Sequence, residues 1–361
     1  MTRRLTRGKA NVSVERNWEI LTESVTTKDV RVVKEWFRHN TGLHGRGREF
    51  PENLRDPVLV AVSDGSKSIF TLLMRHGFQA NRLTRGKRRS VRPIHTAAKS
   101  GQLGMLMAML NDHDVPVDTE DSLHQTPLGY AVSGNHTDIV QYLLSQGADC
   151  DRLHRPQSPF KSAVSSNKLD LATLMIQHGA DVNCKVREEG CLLNTCARLN
   201  HVDMMHLLYN HGARVDIRDD NKGFSILHFA LQMPVHVKVL KLLIRINAPL
   251  NEVCSKGRSA LHGVLCDRGK LFLPPRYVRL LAEAGYEVRR GDYDAACNIP
   301  ADLGETLRST LLNLLADVRS LQQLACFKVR QILGTHLPKR VGYLPLPAQV
   351  KDYVKLKHLT G

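Results

Sequence analysis

The residues of this chain best suited to chemistry are its seventeen histidines and eight cysteines. Cys254, His262 and Cys266 come nearest to a metal set, since thiolates and imidazole nitrogens are the ligands zinc takes. No two cysteines form a Cys-x-x-Cys pair, and His262 is accounted for by a repeated motif described below, so no metal and no cofactor is expected. A histidine acting as a base needs a nucleophile within reach. The sequence holds no Gly-x-Ser-x-Gly, no phosphate-cradling P-loop, no His-Glu-x-x-His and no convergent pair of carboxylates. It therefore reads as non-catalytic. Cys150, Cys184, Cys191, Cys196, Cys254, Cys266, Cys297 and Cys326 fall mostly in helical patterns, as small buried hydrophobes or free surface thiols of a reducing compartment.

Charge narrows the choice of partners. The 361 residues carry a net +16. Residues 81–100 hold Arg82, Arg85, Lys87, Arg88, Arg89, Arg92 and Lys99 without an acid, and from residue 320 onward Asp352 is the only carboxylate. Such a distribution attracts an acidic partner over a range that salt shortens. An acidic protein fits better than nucleic acid, because aromatic stacking platforms are missing near the basic run. No stretch approaches the roughly 18 apolar residues of a membrane span. The basic opening residues 1–18 lack the apolar core of a secretory signal. The expected location is the cytoplasm, with the nucleus as a further compartment, and no membrane contact.

The elements that position these residues repeat along the chain. Gln125-Thr126-Pro127-Leu128 has counterparts in Val91-Arg92-Pro93-Ile94-His95, Gln157-Ser158-Pro159-Phe160, Phe224-Ser225-Ile226-Leu227-His228 and Arg258-Ser259-Ala260-Leu261-His262. The aligned positions Pro57, Pro93, Pro127, Pro159, Leu192, Ile226 and Ala260 lie 36, 34, 32, 33, 34 and 34 apart. Thr126, Ser158, Ser225 and Ser259 precede a helix start, where a hydroxyl caps free N–H groups, and Pro127 and Pro159 take the first helical position. Gly77, Gly147, Gly179 and Gly212 stand where a second helix must end left-handed. Asn81, Asp151, Asn183, Asp216 and Asn251 follow at turns. Alanines (Ala97, Ala98, Ala131, Ala163, Ala230) mark a short first helix. Bulkier residues (Ile139, Val140, Leu143, Leu144, then Leu171, Leu174, Met175) mark the second. Each unit leaves an apolar face that only the next unit covers.

A period near 33 residues around Thr-Pro-Leu-His resembles the ankyrin repeat. The resemblance implies that His95, His228 and His262 bond turn backbone between repeats, and it puts His136 and His201 between the helices of a pair. The ends are degenerate, as caps are. Residues 18–40 read as one earlier repeat, with Val30, Val32, Val33, Trp36 and Phe37 as its second-helix hydrophobes and Asn40 in the helix-ending position. Residues 299–318 read as a truncated last repeat with Pro300-Ala301-Asp302-Leu303 at its start and Leu311, Leu312, Leu314 and Leu315 as its apolar run. One repeat is long: Ala260 to Gly285 is 25 residues against 20 from Pro127 to Gly147. The surplus, near 266–275, carries Leu271, Phe272 and Leu273. It reads either as a loop folded back on its own stack, the favoured reading, or as an apolar contact for a partner.

The last forty residues carry the second signal. Leu321, Ala325, Val329 and Ile332 step by four, four and three along one helical face, which Leu324 and Leu333 widen. Leu344-Pro345-Leu346-Pro347 follows. Its alternate prolines fix φ and remove backbone donors, giving an extended segment whose leucines project as anchors. Tyr353 stands beyond. The arrangement resembles the SOCS box. The resemblance implies that Leu321 anchors elongin C with support from Leu324, Val329 and Leu333, and that Leu344, Pro345, Leu346 and Pro347 contact a cullin of the type-five class. One departure is Ala325, which stands where the family has cysteine, with Cys326 one residue later; the missing contacts are worth on the order of 1 kcal/mol.

The fold class expected is all-α: an ankyrin-repeat solenoid of about seven repeats plus degenerate caps, then a small helical SOCS box. The expected division is 1–54 as a basic segment with a degenerate capping repeat, 55–318 as the ankyrin domain and 319–361 as the SOCS box. An ankyrin stack joined to a SOCS box is similar to the ankyrin repeat and SOCS box family. That implies a substrate-recognition subunit with elongin B, elongin C, a type-five cullin with its RING protein and a target protein as partners. A ligase-independent ankyrin scaffold that sequesters a signalling protein is the alternative, supported by Ala325.

Overall fold

The computed structural model of the chain describes residues 16–40, 55–84, 90–152, 158–186, 190–232, 235–266, 273–297, 299, 301–316 and 332. They fall into two compact units, divided between Ala180 and Asp181. In the first unit the helices come in pairs: α1 (residues 16–26) with α2 (Val30–His39), α3 (Pro57–Ser63) with α4 (Lys67–Arg75), α5 (Pro93–Lys99) with α6 (Leu103–Asp112), α7 (Pro127–Gly134) with α8 (Thr137–Ser145), and α9 (Pro159–Ser165) with α10 (Leu169–Gln177). The second unit opens with an antiparallel ribbon of β1 (Lys185–Val186) and β2 (Gly190–Cys191), in register Lys185 with Cys191. Then come α11 (Leu192–Leu199) with α12 (Val202–Asn210), α13 (Ile226–Ala230) with α14 (Val237–Arg245), α15 (Ala260–Cys266) with α16 (Pro275–Glu283), and α17 (Arg290–Cys297) with α18 (Ala301–Ala316).

Within each unit first helices pack on first helices, α3 on α5 on α7 on α9 and α11 on α13 on α15 on α17. Second helices form the other row, α2 against α4 and α8 against α10 in the first unit, α12 on α14 on α16 on α18 in the second. The two rows differ because their side chains differ. Ala97, Ala98, Ala131, Ala163 and Ala230 are buried, and their small size lets the first helices approach closely. Ile139, Val140, Leu143, Leu144, Leu171 and Met175 fill the space between rows, each burial stabilising by about 1.5–3 kcal/mol, while Leu174 is only half-buried.

The caps work as their residue types dictate. Thr126 Oγ1 accepts from the Gly129 N–H at 3.5 Å, and Ser158 Oγ from the Lys161 N–H at 3.2 Å. Pro57, Pro93, Pro127 and Pro159 each occupy the first helical position. Gly77, Gly147, Gly179 and Gly212 end the second helices with φ between +83° and +92°, the left-handed conformation that favours glycine. Asn40 differs: it ends α2 at φ −116°, so the first pair closes without a left-handed residue.

That first pair is held by aromatic packing. Trp18 lies 5.7 Å from Trp36 and 6.2 Å from Phe78, and Phe37 stacks on His76 at 3.9 Å. Its polar handle, the Trp36 indole N–H, reaches the Asn17 carbonyl at 2.8 Å. At the other end the structure corrects the sequence reading. Residues 301–316 are the second helix of a full pair, not the start of a truncated repeat; the first helix is α17, which opens at Arg290. Of the expected apolar run only Leu311 is buried, joined by Leu307, whereas Leu312 and Leu315 are exposed.

Candidate functional site

Short hairpins project ahead of the first helices. Thr84 pairs with Val91 and Val253 with Ser259 in antiparallel bridges, and β1–β2 is the third such ribbon. Two sets of side-chain bonds tie one repeat to the next at several places within each unit. The first uses the histidine position of the Thr-Pro-Leu-His motif. His95 Nε2 meets the Thr119 carbonyl at 2.9 Å, His228 Nε2 the Arg258 carbonyl at 3.3 Å, and His262 Nδ1 the Gly291 carbonyl at 2.8 Å. Asn194 fills the same position and donates through Nδ2 to the Ile217 carbonyl at 3.2 Å. The His95 and His228 rings also accept, through Nδ1, the backbone N–H of Arg92 and Ser225 at 3.2 Å. Burial pushes both imidazoles below the usual histidine range, which suits neutral rings with one donor and one acceptor nitrogen. His95 and His228 bond turn backbone, whereas His262 bonds the first turn of α17.

The second ladder uses the turn residues. Asn183 Oδ1 accepts from the Arg214 N–H at 2.8 Å and its Nδ2 donates to the Gly212 carbonyl at 3.2 Å. Asn251 does the same one repeat later, with the Glu287 N–H at 2.7 Å and the Gly285 carbonyl at 2.9 Å. In the first unit Asp118 accepts from the Asp149 N–H at 3.3 Å. Sequence reading gave Asn183 and Asn251 only a local turn role; their reach to the next repeat, 29 to 36 residues away, has no local signature.

Between the helices of a pair, His136 reaches back to the Lys99 carbonyl at 2.9 Å and Lys168 Nζ to the Val132 carbonyl at 2.6 Å. Gly101 makes room for the His136 ring: it has φ +75°, and a Cβ there would stand 2.7 Å from His136 Cε1.

What these ladders leave for a partner lies on the surface. The described fingers of the first unit expose Leu83 and Leu123, two apolar side chains that the periodicity did not single out. Beside Leu123, Glu120 accepts from His124 at 2.8 Å and pairs with Arg152 at 2.8 Å, and the His124 bond foremost, then Arg152, holds its carboxyl below the usual range. Arg92 of the basic run is tied to the Glu120 carbonyl at 3.1 Å. Arg85, Lys87, Arg88 and Arg89 lie outside the described residues.

In the long repeat, Leu273 is fully buried, which removes it as a partner contact; Leu271 and Phe272 lie outside the described residues. Pro274 and Pro275 start α16 directly behind it. Cys254 is buried and Cys266 exposed, and among the described residues no group of three or more His, Cys, Asp or Glu side chains is placed to hold a metal. No described helix is long and apolar enough to cross a membrane. Leu321, Leu324, Ala325, Val329, Leu333, Leu344, Pro345, Leu346 and Pro347 lie outside the described residues. Ile332, from the same predicted face, is described: it is helical and 72% exposed.

Paired helices in two rows, hairpins ahead of the first helices and a histidine ladder between them define an ankyrin-repeat protein. The ankyrin-repeat family model matches residues 26–154 and 160–253, and the SOCS box model matches residues 317–355. Among curated proteins the chain is 31% identical over 144 residues to ankyrin repeat and SOCS box protein 6 of Homo sapiens, covering 38% of this chain and 32% of that one. It is 36% identical over 93 residues to alpha-latrocrustotoxin-Lt1a of Latrodectus tredecimguttatus, covering 26% of this chain and 6% of the toxin. The chain thus spans a third or less of the length of these two relatives. Among solved structures, the human ASB11 ankyrin repeat domain is similar, with TM-score 0.50 and 25% identity over 57% of this chain and 90% of that domain. The chain belongs to the ankyrin repeat and SOCS box family.

Proposed function

We propose that this chain is the substrate-recognition subunit of an elongin–cullin–SOCS-box E3 ubiquitin ligase. Its ankyrin repeats hold a target protein, and residues 319–361 recruit elongin B and elongin C and a type-five cullin with its RING protein. The observation that carries this reading is the intact Leu344-Pro345-Leu346-Pro347 inside the SOCS-box match at 317–355, behind the ankyrin repeats. A pure scaffold has no use for that segment.

On this reading the chain is not itself an enzyme. The receptor raises the local concentration of target lysines near a charged ubiquitin-conjugating enzyme, and proximity lowers the barrier. The target is a protein with an acidic face, matched by the net charge of +16, and the exposed Leu83 and Leu123 supply apolar contact beside it. The working place is the cytoplasm, with access to the nucleus. The division into 1–54, 55–318 and 319–361 belongs to the same proposal.

The test separates the two recruiting contacts. The double change Leu344→Ala and Leu346→Ala is expected to weaken cullin capture at least tenfold while elongin B and C still co-purify, because truncating two apolar anchors removes about 2–4 kcal/mol of burial. Loss of both partners together would count against two separable contacts. Ala325 favours the second reading, a ligase-independent scaffold, and that reading predicts no elongin with the unmodified chain.

A further inference from the structure

Among the described cysteines most are sequestered. Cys150, Cys191, Cys196 and Cys254 are buried, and burial pushes the Cys150 thiol up to about 12, where it is inert. Cys266 and Cys297 are exposed. Their neighbours differ. Cys266, the last residue of α15, sits one turn after His262, and its Sγ lies 3.3 Å from His262 Nε2. The other ring nitrogen, Nδ1, is 2.8 Å from the Gly291 carbonyl. A carbonyl only accepts, so Nδ1 must carry the proton; in the neutral ring Nε2 is then left with its lone pair facing the thiol. The thiol donates and the imidazole accepts. Cys297 has the Tyr293 phenol as its hydrogen-bond neighbour, a group that does not take up a proton in the neutral range.

The repeat architecture therefore fixes a histidine tautomer and sets a base against an exposed thiol. At His95 and His228 the nitrogen not used for the hairpin carbonyl accepts a backbone N–H. At His262 it faces sulfur instead, because the ring is turned so that Nδ1 makes the carbonyl bond. An acceptor nitrogen, an exposed nucleophile and an orienting carbonyl in a row are the arrangement that activates a nucleophile for covalent chemistry.

We propose that Cys266 is a modification site, a base-assisted thiol that forms mixed disulfides with small disulfide compounds. The step balances. The Cys266 S–H proton passes to His262 Nε2. The thiolate attacks one sulfur of the disulfide, the S–S bond breaks as the new S–S bond to Cys266 forms, and the departing thiolate takes the proton back from the imidazolium. Cys266 is oxidised to the disulfide level and half of the reagent is reduced to a free thiol.

The repeat itself supplies the control. Asn194, at the same motif position as His262, makes the hairpin carbonyl bond without a base nitrogen. His262→Asn therefore keeps a donor for Gly291 while deleting the proton acceptor. The experiment treats the folded full chain with oxidised glutathione for short times, quenches with acid and measures adduct at each cysteine by peptide mass spectrometry. The expected result is that Cys266 is modified roughly tenfold or more faster than Cys297, and that His262→Asn removes this advantage without changing Cys297. Comparable rates at the two cysteines in the unmodified chain would overturn the proposal without recourse to any variant. So would an undiminished Cys266 rate in a His262→Asn protein that melts like the parent.

Discussion

Replacing His95 with alanine tests whether the histidine ladder holds the stack. The ring is fully buried and satisfies two backbone groups at once, the Arg92 N–H at 3.2 Å and the Thr119 carbonyl at 2.9 Å. Alanine leaves both without this partner, at about 1–3 kcal/mol each when water cannot replace it, and opens a ring-sized void. Since the Arg92 end is only part-buried, the summed loss is expected to be about 3–5 kcal/mol. Asparagine in its place can keep the carbonyl bond, as Asn194 does with Ile217, so His95→Asn is expected to lose about 1–2 kcal/mol less than His95→Ala. A repeat array can open in parts, so the loss is best read locally, by amide exchange of α5 and α7 in the full chain alongside urea denaturation. If His95→Ala costs less than about 1 kcal/mol, or if asparagine rescues nothing, the ladder is not what couples these repeats.

The same rings give a pH dependence. Burial lowers the folded-state pKa of His95 and His228 below the 6.5 of a free histidine, so the unfolded chain binds more protons in the window beneath 6.5. Their stabilising contribution is complete above that value and is lost as pH falls toward the folded-state pKa; a melting temperature unchanged between pH 7 and pH 5 would contradict it. Two glycines separate backbone strain from crowding. Gly147→Ala meets open space at φ +83° and is expected to cost about 1–2 kcal/mol, whereas Gly101→Ala at φ +75° must also displace the His136 ring and should cost more. Equal melting shifts would show that the His136 ring yields freely. Leu321→Asp is expected to abolish elongin binding while leaving the helical circular dichroism of the repeats intact, because a buried unpaired charge is costly; elongin that still co-purifies would displace Leu321 as the anchor.

The sequence revealed the parts of this fold that are written in local chemistry. Thr126 and Ser158 cap, prolines open the first helices and four glycines close the second ones, each for a reason confined to one turn of chain. The histidine contacts were legible too, through the family resemblance. Other features depend on residues a repeat apart. Asn183 and Asn251 look like ordinary turn formers until the next repeat supplies the backbone groups they bind. The last pair was misread because α17 opens on Arg290 without the hydroxyl–proline signal, while Pro300-Ala301 imitates it ahead of α18. Leu273 sits in a surplus segment that reads either as folded back on its own stack or as a partner contact; it is fully buried just ahead of the prolines that open α16, in keeping with the favoured first reading. The Cys266–His262 pair is not legible in the sequence, because spacing alone does not say which ring nitrogen the Gly291 carbonyl of α17 will claim.

The most direct test of the adaptor role is co-expression of the full chain with elongin B and elongin C, followed by size-exclusion chromatography with and without a type-five cullin. The account predicts a stable three-protein complex that shifts to larger size when cullin is added. A chain that elutes alone and ignores elongin would contradict it and leave the ankyrin repeats as a scaffold without a ligase.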